Sequence, residues 1–178
     1  MRVGSYVSRR AALGYLGATG VSLLSRRVAS GVQANGTLNI ACLGTGGRSR
    51  HLIERLKKIS GVRIVAVCDV QDDRREAAAQ LVGTPVAKEL DFRKLLDRKD
   101  IDAVVIASPD HWHVPMTIAA CEAGKDVYVE KPLTHSIEEG AAVSEAEKQT
   151  GRIVQVGTQQ RSMPHLIEAK KWIAEGLL

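Results

Sequence analysis

The stretch Leu38-Asn39-Ile40-Ala41-Cys42-Leu43 runs directly into Gly44-Thr45-Gly46-Gly47-Arg48-Ser49. Six mostly apolar residues predict a buried strand, and the glycines after them predict a tight turn that opens a helix. Gly44 permits the tight turn, and Gly46 lets the backbone approach a pyrophosphate above a helix amino terminus. Ser49 stands where this pattern normally has Gly or Ala, and its small side chain preserves close helix packing. By itself the motif is also compatible with an ordinary strand-to-helix turn.

Strand-like and helix-like segments alternate from Leu38 onward. Strands are expected at 38–43, 62–68, 85–87, 103–107, 127–129 and 153–156. Helices are expected at 48–59, 72–81 and 112–123, after the capping residue Asp91, after a capping box of Ser136 and Glu139, and near Pro164. Near-continuous apolar strands separated by helices predict a parallel sheet covered on both faces. The predicted fold class is therefore α/β, a doubly wound parallel sheet of the Rossmann type.

Asp69 closes the second predicted strand, where dinucleotide-binding sheets place an acidic residue. Its carboxylate would accept hydrogen bonds from the adenosine ribose hydroxyls and repel the extra phosphate of NADP. No basic residue follows immediately, and Arg74 and Arg75 are expected on the solvated face of the next helix, so the pattern favours NAD over NADP. In the glycine turn, Gly47 and Arg48 would add an amide and a charge for the phosphates. The alternative is that Asp69 merely caps the following helix.

Two motifs follow the fourth and fifth predicted strands. Ser108-Pro109-Asp110-His111-Trp112-His113 comes after the fourth, and Glu130-Lys131-Pro132 comes after the fifth. The carboxyl ends of parallel strands are where doubly wound folds bind ligands. Together these motifs resemble those of the Gfo/Idh/MocA oxidoreductase family, which typically has Thr/Ser-Pro-Asn-x-x-His and Glu-Lys-Pro at these places. Asp110 replaces the usual Asn, and the segment 156–162 resembles the corresponding loop of exported bacterial members.

The resemblance implies a Rossmann domain followed by a second α/β domain that covers the active site and mediates homo-oligomers. Members move a hydride between a sugar or cyclitol carbon and the nicotinamide of NAD. By this resemblance Lys131 would hydrogen-bond the reacting hydroxyl or carbonyl, with His113 as a second catalytic candidate. Helix-start capping or packing is the alternative for His111 and His113. Glu130 would orient Lys131 or the cofactor amide, and Pro132 would hold a cis bond.

The expected cofactor-binding residues come from the motifs and from the resemblance. They are Gly44, Gly46, Gly47, Arg48, Asp69, Ser108, Pro109, His111, Glu130, Lys131 and Gln159. No metal site is expected, because Cys42, Cys68 and Cys121 fall inside apolar runs without metal-like spacing. These three residues are predicted to be small buried hydrophobes.

The formal net charge of +5 belongs to the amino-terminal segment. Five arginines and no acidic residue precede Asn35, and the remainder carries 20 basic and 20 acidic residues. A neutral body gives no electrostatic argument for a nucleic-acid partner. Residues 1–35 combine the pair Arg9-Arg10 with a short apolar stretch and small residues, which predicts a twin-arginine signal peptide and a periplasmic or secreted protein. The apolar stretch is too short for a stable membrane anchor, and the alternative is a disordered arm.

The predicted organisation is a signal peptide at 1–35, an NAD-binding Rossmann domain at 36–157 and the start of a truncated second domain at 158–178. A cofactor domain alone would bind NAD but lack the substrate wall and the proton-transfer partner. Three functions stay open: an exported NAD-dependent sugar or cyclitol dehydrogenase, an NAD-dependent glycosidase on the same fold, and a non-catalytic NAD-binding module. Glycosidase relatives usually carry Trp-Glu-Trp-His where this chain has Asp110-His111-Trp112-His113, which disfavours them.

Overall fold

The computed structural model describes residues 36–177, and the signal-peptide prediction for residues 1–35 lies outside the described residues. One sheet contains the strands Leu38–Leu43 (β1), Val62–Cys68 (β2), Ala87–Glu89 (β3), Ala103–Ile106 (β4), Asp126–Glu130 (β5) and Val154–Gly157 (β6). Every neighbouring pair is parallel, and the spatial order is β3-β2-β1-β4-β5-β6. The predicted doubly wound parallel sheet is confirmed.

Helices follow the strands as the alternating pattern predicts. They are Gly47–Leu56 (α1), Asp72–Val82 (α2), Phe92–Leu96 (α3), His113–Glu122 (α4), Ile137–Thr150 (α5) and Pro164–Ala174 (α6). The Asp91 side chain caps α3 by accepting from the Arg93 amide at 3.0 Å. Ser136 and Glu139 form the predicted capping box at the start of α5. Both capping predictions are confirmed, because short polar side chains satisfy amides that have no partner inside the helix.

Several element boundaries differ from the sequence prediction by one to three residues, and those of β3, α4 and β5 have a clear physical reason. β3 begins at Ala87 because Pro85 has no N–H to donate to a ladder. A 3-10 turn at Asp110–Trp112 precedes α4, so this helix starts one residue later than expected. β5 extends to Asp126 and Glu130, charged residues that the apolar pattern excluded but that the sheet buries.

The core lies on both faces of the sheet. On one face Ile40 and Cys42 of β1 pack with Leu52 and Leu56 of α1. The opposite face has its own cluster, whose members include Ala41, Leu43, Leu95, Met116 and Val129. Because both faces are covered, all six residues of β1 are buried and its sequence is apolar almost throughout. The three cysteines are free and buried as predicted, and burial raises the pKa of the Cys42 thiol to about 12.

The strand order places the candidate site at one edge of the sheet. β1 lies between β2 and β4. The chain first adds β2 and β3 on one side of β1 and then adds β4, β5 and β6 on the other side. The loops after β1 and β4 therefore leave in opposite directions and open a crevice at the carboxyl ends of these strands. Gly44, Asp69, Ser108 and Lys131 each follow the carboxyl end of a strand at this edge. Among residues 36–177, no helix has the length and apolar character needed to cross a membrane.

Candidate cofactor and active site

Gly44 brings the loops after β1 and β4 into backbone contact. A Cβ atom added to Gly44 would lie 2.6 Å from both the Cα and the amide nitrogen of Ser108. Gly44 also has a φ of +77°, a conformation that side chains disfavour, and its amide donates to the Cys68 carbonyl at 2.8 Å. Glycine is thus required at position 44 for two reasons: its positive φ and the close approach of the Ser108 backbone.

The amino terminus of α1 is open to an anion. Gly46 occupies the N-cap position, no side chain caps the helix, and its first turn contains no acidic residue. The amides of this turn therefore keep free N–H groups and the positive end of the helix dipole. A Cβ atom on Gly46 would have the Nη1 atom of Arg74 as its nearest neighbour at 3.9 Å, and one on Gly47 would meet nothing within 4 Å. This open backbone fits the pyrophosphate of a dinucleotide.

The Asp69 carboxylate supports the glycine turn. Its Oδ2 atom accepts from the amide of Thr45 at 2.7 Å and from the Thr45 hydroxyl at 3.1 Å. Oδ1 accepts from the amide of Gln71, which is itself the N-cap residue of α2 and has no side-chain cap bond. Asp69 is therefore not the helix cap considered as an alternative. A carboxylate has about four acceptor positions, so capacity for a ribose hydroxyl is left. The sequence pattern does not predict this contact between Thr45 and Asp69; the only signal for Thr45 is its position inside the glycine turn.

The two arginines of α2 differ from the expected solvated pair. Arg75 donates from Nη1 to the carbonyl oxygen of Asp69 at 2.6 Å and pairs with Asp72, leaving 15% of its side chain exposed. The solvated-face prediction is wrong for Arg75, because its stem folds back over the start of α2. Arg74 is exposed, and its guanidinium extends toward the Gly46 turn.

Glu130 is the centre of a polar cluster at the end of β5. Its Oε1 atom accepts from Arg48 Nε at 2.7 Å and from the Tyr128 hydroxyl at 3.2 Å. Its Oε2 atom accepts from the backbone amide of Lys131 at 3.3 Å. Only 6% of the Glu130 side chain is exposed. Arg48, predicted to supply a charge to the phosphates, thus has its Nε atom committed to a carboxylate; the phosphate contact stays a prediction.

Tyr128 was missed as a member of this cluster. It lies two residues before Glu130 on β5, and this alternation places both side chains on one face of the strand. Burial, followed by the neighbouring Glu130 carboxylate, raises the pKa of Tyr128 to about 12. Gly157 at the end of β6 completes the packing, because a Cβ atom there would lie 2.5 Å from the Tyr128 hydroxyl oxygen.

His113 is an interior residue and not an exposed site residue. Only 1% of it is exposed, and its Nδ1 and Nε2 atoms lie 2.6 Å from the Pro132 carbonyl oxygen and 3.0 Å from the Ser108 carbonyl oxygen. With both nitrogens occupied and solvent excluded, the ring has no free atom for a substrate. This burial and these contacts fit the packing alternative for His113, and its catalytic role stays a prediction. The neighbouring His111 is exposed.

The remaining predicted residues lie around the same crevice. Lys131 is exposed directly after β5, and the Lys131–Pro132 peptide is cis, as the resemblance implied. Pro109 precedes the 3-10 turn and accepts from the Trp112 amide at 2.9 Å. Ser108 Oγ and Gln159 Oε1 are buried and have no hydrogen-bond partner among the described residues. Orphaned polar atoms of this kind fit a ligand that brings its own donors and acceptors.

The residues present thus fit a bound dinucleotide. The open helix terminus, the acidic residue after β2 and the orphaned polar atoms all lie at the carboxyl edge of the sheet. Within residues 36–177, no group of three or more His, Cys, Asp or Glu side chains is arranged to hold a metal ion. This architecture and site define a dinucleotide-binding domain of the Rossmann class.

The chain belongs to the Gfo/Idh/MocA oxidoreductase family. Residues 38–158 match the family model, whose description is an oxidoreductase family with an NAD-binding Rossmann fold. Inositol 2-dehydrogenase 4 of Saccharopolyspora erythraea is 39% identical over 148 residues, which cover 82% of this chain and 43% of that protein. A glycosyl hydrolase family 109 protein of Solibacter usitatus is 38% identical over 115 residues, covering 59% of this chain and 26% of that protein.

A solved structure carries the cofactor of this family. It is scyllo-inositol dehydrogenase from Lactobacillus casei with bound NAD(H) and scyllo-inositol, which matches with a TM-score of 0.71 at 27% identity. The match covers 79% of this chain and 42% of that one. The present chain therefore spans less than half the length of the relatives it matches, and the matched part is their NAD-binding domain.

Proposed function

We propose that the whole protein is an NAD-dependent dehydrogenase that moves a hydride between a carbon of a cyclitol or sugar and the nicotinamide ring. The observation that carries the proposal is the placement of Lys131. It is exposed at the carboxyl end of β5 and held on both sides, by Glu130 at its own amide and by His113 at the Pro132 carbonyl. The inositol dehydrogenases among the relatives support a cyclitol as the substrate class.

The dinucleotide would be held by residues from several strand ends. Amides of the Gly46-Gly47 turn would bind the pyrophosphate, and the remaining acceptor capacity of Asp69 would bind the adenosine ribose. Ser108 and Gln159 contribute their unpaired polar atoms. Once bound, the nicotinamide ring supplies the hydride acceptor or donor.

Lys131 would act on the oxygen of the reacting carbon. During oxidation the hydroxyl group loses its proton and the carbon loses a hydride, so negative charge develops on this oxygen. A lysine nitrogen within hydrogen-bond distance accepts the proton or stabilises the charge, and in the reverse reaction it returns the proton. The exposed end of Lys131 leaves this nitrogen free to meet a substrate.

Lys131→Ala in the whole protein tests the proposal. With NAD and myo- or scyllo-inositol, we expect kcat to fall about a hundredfold, the scale of a lost acid–base group, while NADH affinity changes little. Lys148→Ala, which removes an exposed lysine from α5, is the matched control. Normal kcat in Lys131→Ala would remove this lysine from the chemistry.

A second candidate function is an NAD-dependent glycosidase, favoured by the similarity to the family 109 protein. It would use transient oxidation of the sugar to labilise a glycosidic bond, so NAD would not be consumed. Release of nitrophenol from nitrophenyl glycosides without net NADH formation would identify it. NADH binding with neither activity would instead indicate a non-catalytic module.

Export and assembly are further parts of the proposal. The arginine pair Arg9-Arg10 in an all-basic leader supports export through the twin-arginine route to the periplasm or beyond. A reporter fused after Asn35 should reach the periplasm only in cells with that translocase, and changing both arginines to lysine should retain it. Homo-oligomers are expected for the full-length form, which sedimentation would test.

A further inference from the structure

We propose that Arg48 is a positioning residue for Lys131 and acts through Glu130. This inference rests on the proposed role of Lys131 in the reaction. Arg48 belongs to the first turn of α1, 82 positions before Glu130, and the Nε–Oε1 distance of 2.7 Å joins the glycine turn to the end of β5. The expected role for Arg48 was a phosphate contact, whereas its observed partner is a carboxylate.

The burial of Glu130 makes the pair necessary. Its side chain is 6% exposed, and a buried carboxylate without a partner is strongly destabilising. Arg48 remains 37% exposed, so it can reach the carboxylate from the crevice while keeping contact with water. Arg48 is the charged partner of the Glu130 carboxylate, while the Tyr128 hydroxyl and the Lys131 amide are neutral donors to it.

The Glu130 carboxylate links Arg48 to the backbone of Lys131. One oxygen is held by Arg48 and Tyr128, and the other accepts from the amide of Lys131 at 3.3 Å. Packing limits any alternative position, since Gly157 leaves no room for a side chain beside the Tyr128 hydroxyl and Glu130 Oε1. The backbone from which the Lys131 side chain extends is thereby linked to the first turn of α1, whose amides would bind the pyrophosphate.

A double-mutant cycle distinguishes this tether from a phosphate contact. The variants are Arg48→Met, Glu130→Gln, the double variant, the conservative Arg48→Lys, and Arg50→Met as a control for loss of an exposed arginine from the same helix. Hydrogen exchange of the Lys131 amide is measured on the full chain by NMR, together with NADH affinity by calorimetry. On the whole protein, kcat and KM are measured with NAD and inositol.

The tether predicts one pattern in every readout. Arg48→Met and Glu130→Gln each accelerate Lys131 amide exchange about tenfold, the scale of one hydrogen bond. The double variant is no faster than the faster single variant, and Arg48→Lys recovers part of the loss. NADH affinity stays within about twofold of the affinity of the parent protein. Loss of a hydrogen bond to the cofactor would instead lower this affinity about tenfold. The variants with faster Lys131 amide exchange have lower kcat, while their KM for NAD is unchanged. The control Arg50→Met behaves like the parent in amide exchange, kcat and KM.

Two results would overturn the inference. One is weakened NADH binding in Arg48→Met with unaltered Lys131 exchange, which would make Arg48 a phosphate ligand. The other is additive effects of the two substitutions on exchange. A protein that shows the expected exchange pattern and binds NADH but oxidises no polyol would refute the proposed function while supporting the tether.

Discussion

The Nδ1 atom of His113 lies 2.6 Å from the carbonyl oxygen of Pro132, the residue that follows Lys131. The other ring nitrogen lies 3.0 Å from the carbonyl oxygen of Ser108. One buried ring at the start of α4 thus joins the loops after β4 and β5. Because both partners are acceptors, a neutral ring can donate to only one of them at a time, and a doubly protonated ring can donate to both.

Replacing His113 by Phe should lower the free energy of unfolding by about 1 kcal/mol or more, because the buried ring loses its hydrogen bond to a backbone carbonyl oxygen. Urea denaturation measures this change. His165→Phe, at an exposed position of α6, is the matched control and should have little effect. Unchanged stability in His113→Phe would show that the two contacts contribute nothing.

Alanine substitutions at Gly44 and Gly46 should have different effects: the first should lower stability, and the second should weaken cofactor binding. In Gly44→Ala the added methyl group would lie 2.6 Å from Ser108 backbone atoms at a φ of +77°, so stability should fall by at least about 2 kcal/mol. In Gly46→Ala the nearest atom is 3.9 Å away, so stability should stay within about 0.5 kcal/mol of the parent. The methyl group should nevertheless weaken NADH binding by blocking the backbone approach. Calorimetry and thermal melting test both variants, and equal melting temperatures would contradict the prediction for Gly44.

Asp69→Ala should lower NADH affinity about tenfold and narrow the preference for NADH over NADPH. The substitution removes the ribose acceptor and leaves the Thr45 amide without its carboxylate partner. Asp73→Ala, which removes the same charge from the exposed first turn of α2, is the control. Calorimetric titration with both cofactors measures the ratio. An unchanged ratio would exclude Asp69 from the ribose contact.

Tyr128 should ionise only in strongly alkaline solution. Its pKa is raised from 10.0 to about 12, so above pH 10 the unfolded chain releases a proton that the folded chain retains. The stabilising contribution is complete below pH 10 and is lost as the pH rises to about 12. With Tyr6→Phe and Tyr15→Phe, Tyr128 is the one tyrosine left, and tyrosinate absorbance follows it alone. A midpoint near pH 10 would mean that Tyr128 is open to water.

The sequence pattern was sufficient to predict the parallel sheet and the residues that follow the carboxyl ends of its strands. Apolar runs predicted the strands because both faces of the sheet are covered, and the Ser136–Glu139 spacing predicted a capping box formed within four residues. β5 was predicted too short, because Asp126 and Glu130 are charged, and their buried positions depend on partners that lie elsewhere in the chain.

The class of fold, the glycine turn and the placement of Asp69, Ser108 and Lys131 could be predicted from local pattern, since each depends on periodicity or on the end of a strand. The contacts of the polar side chains could not be predicted in this way, because they depend on the tertiary fold. Arg48 meets Glu130 across 82 positions, and His113 turns inward to two carbonyl oxygens although its motif suggested exposure. Such pairings depend on how α1 and α4 pack beside β5, and burial then selects the side-chain orientation that leaves the fewest charged and polar groups without partners.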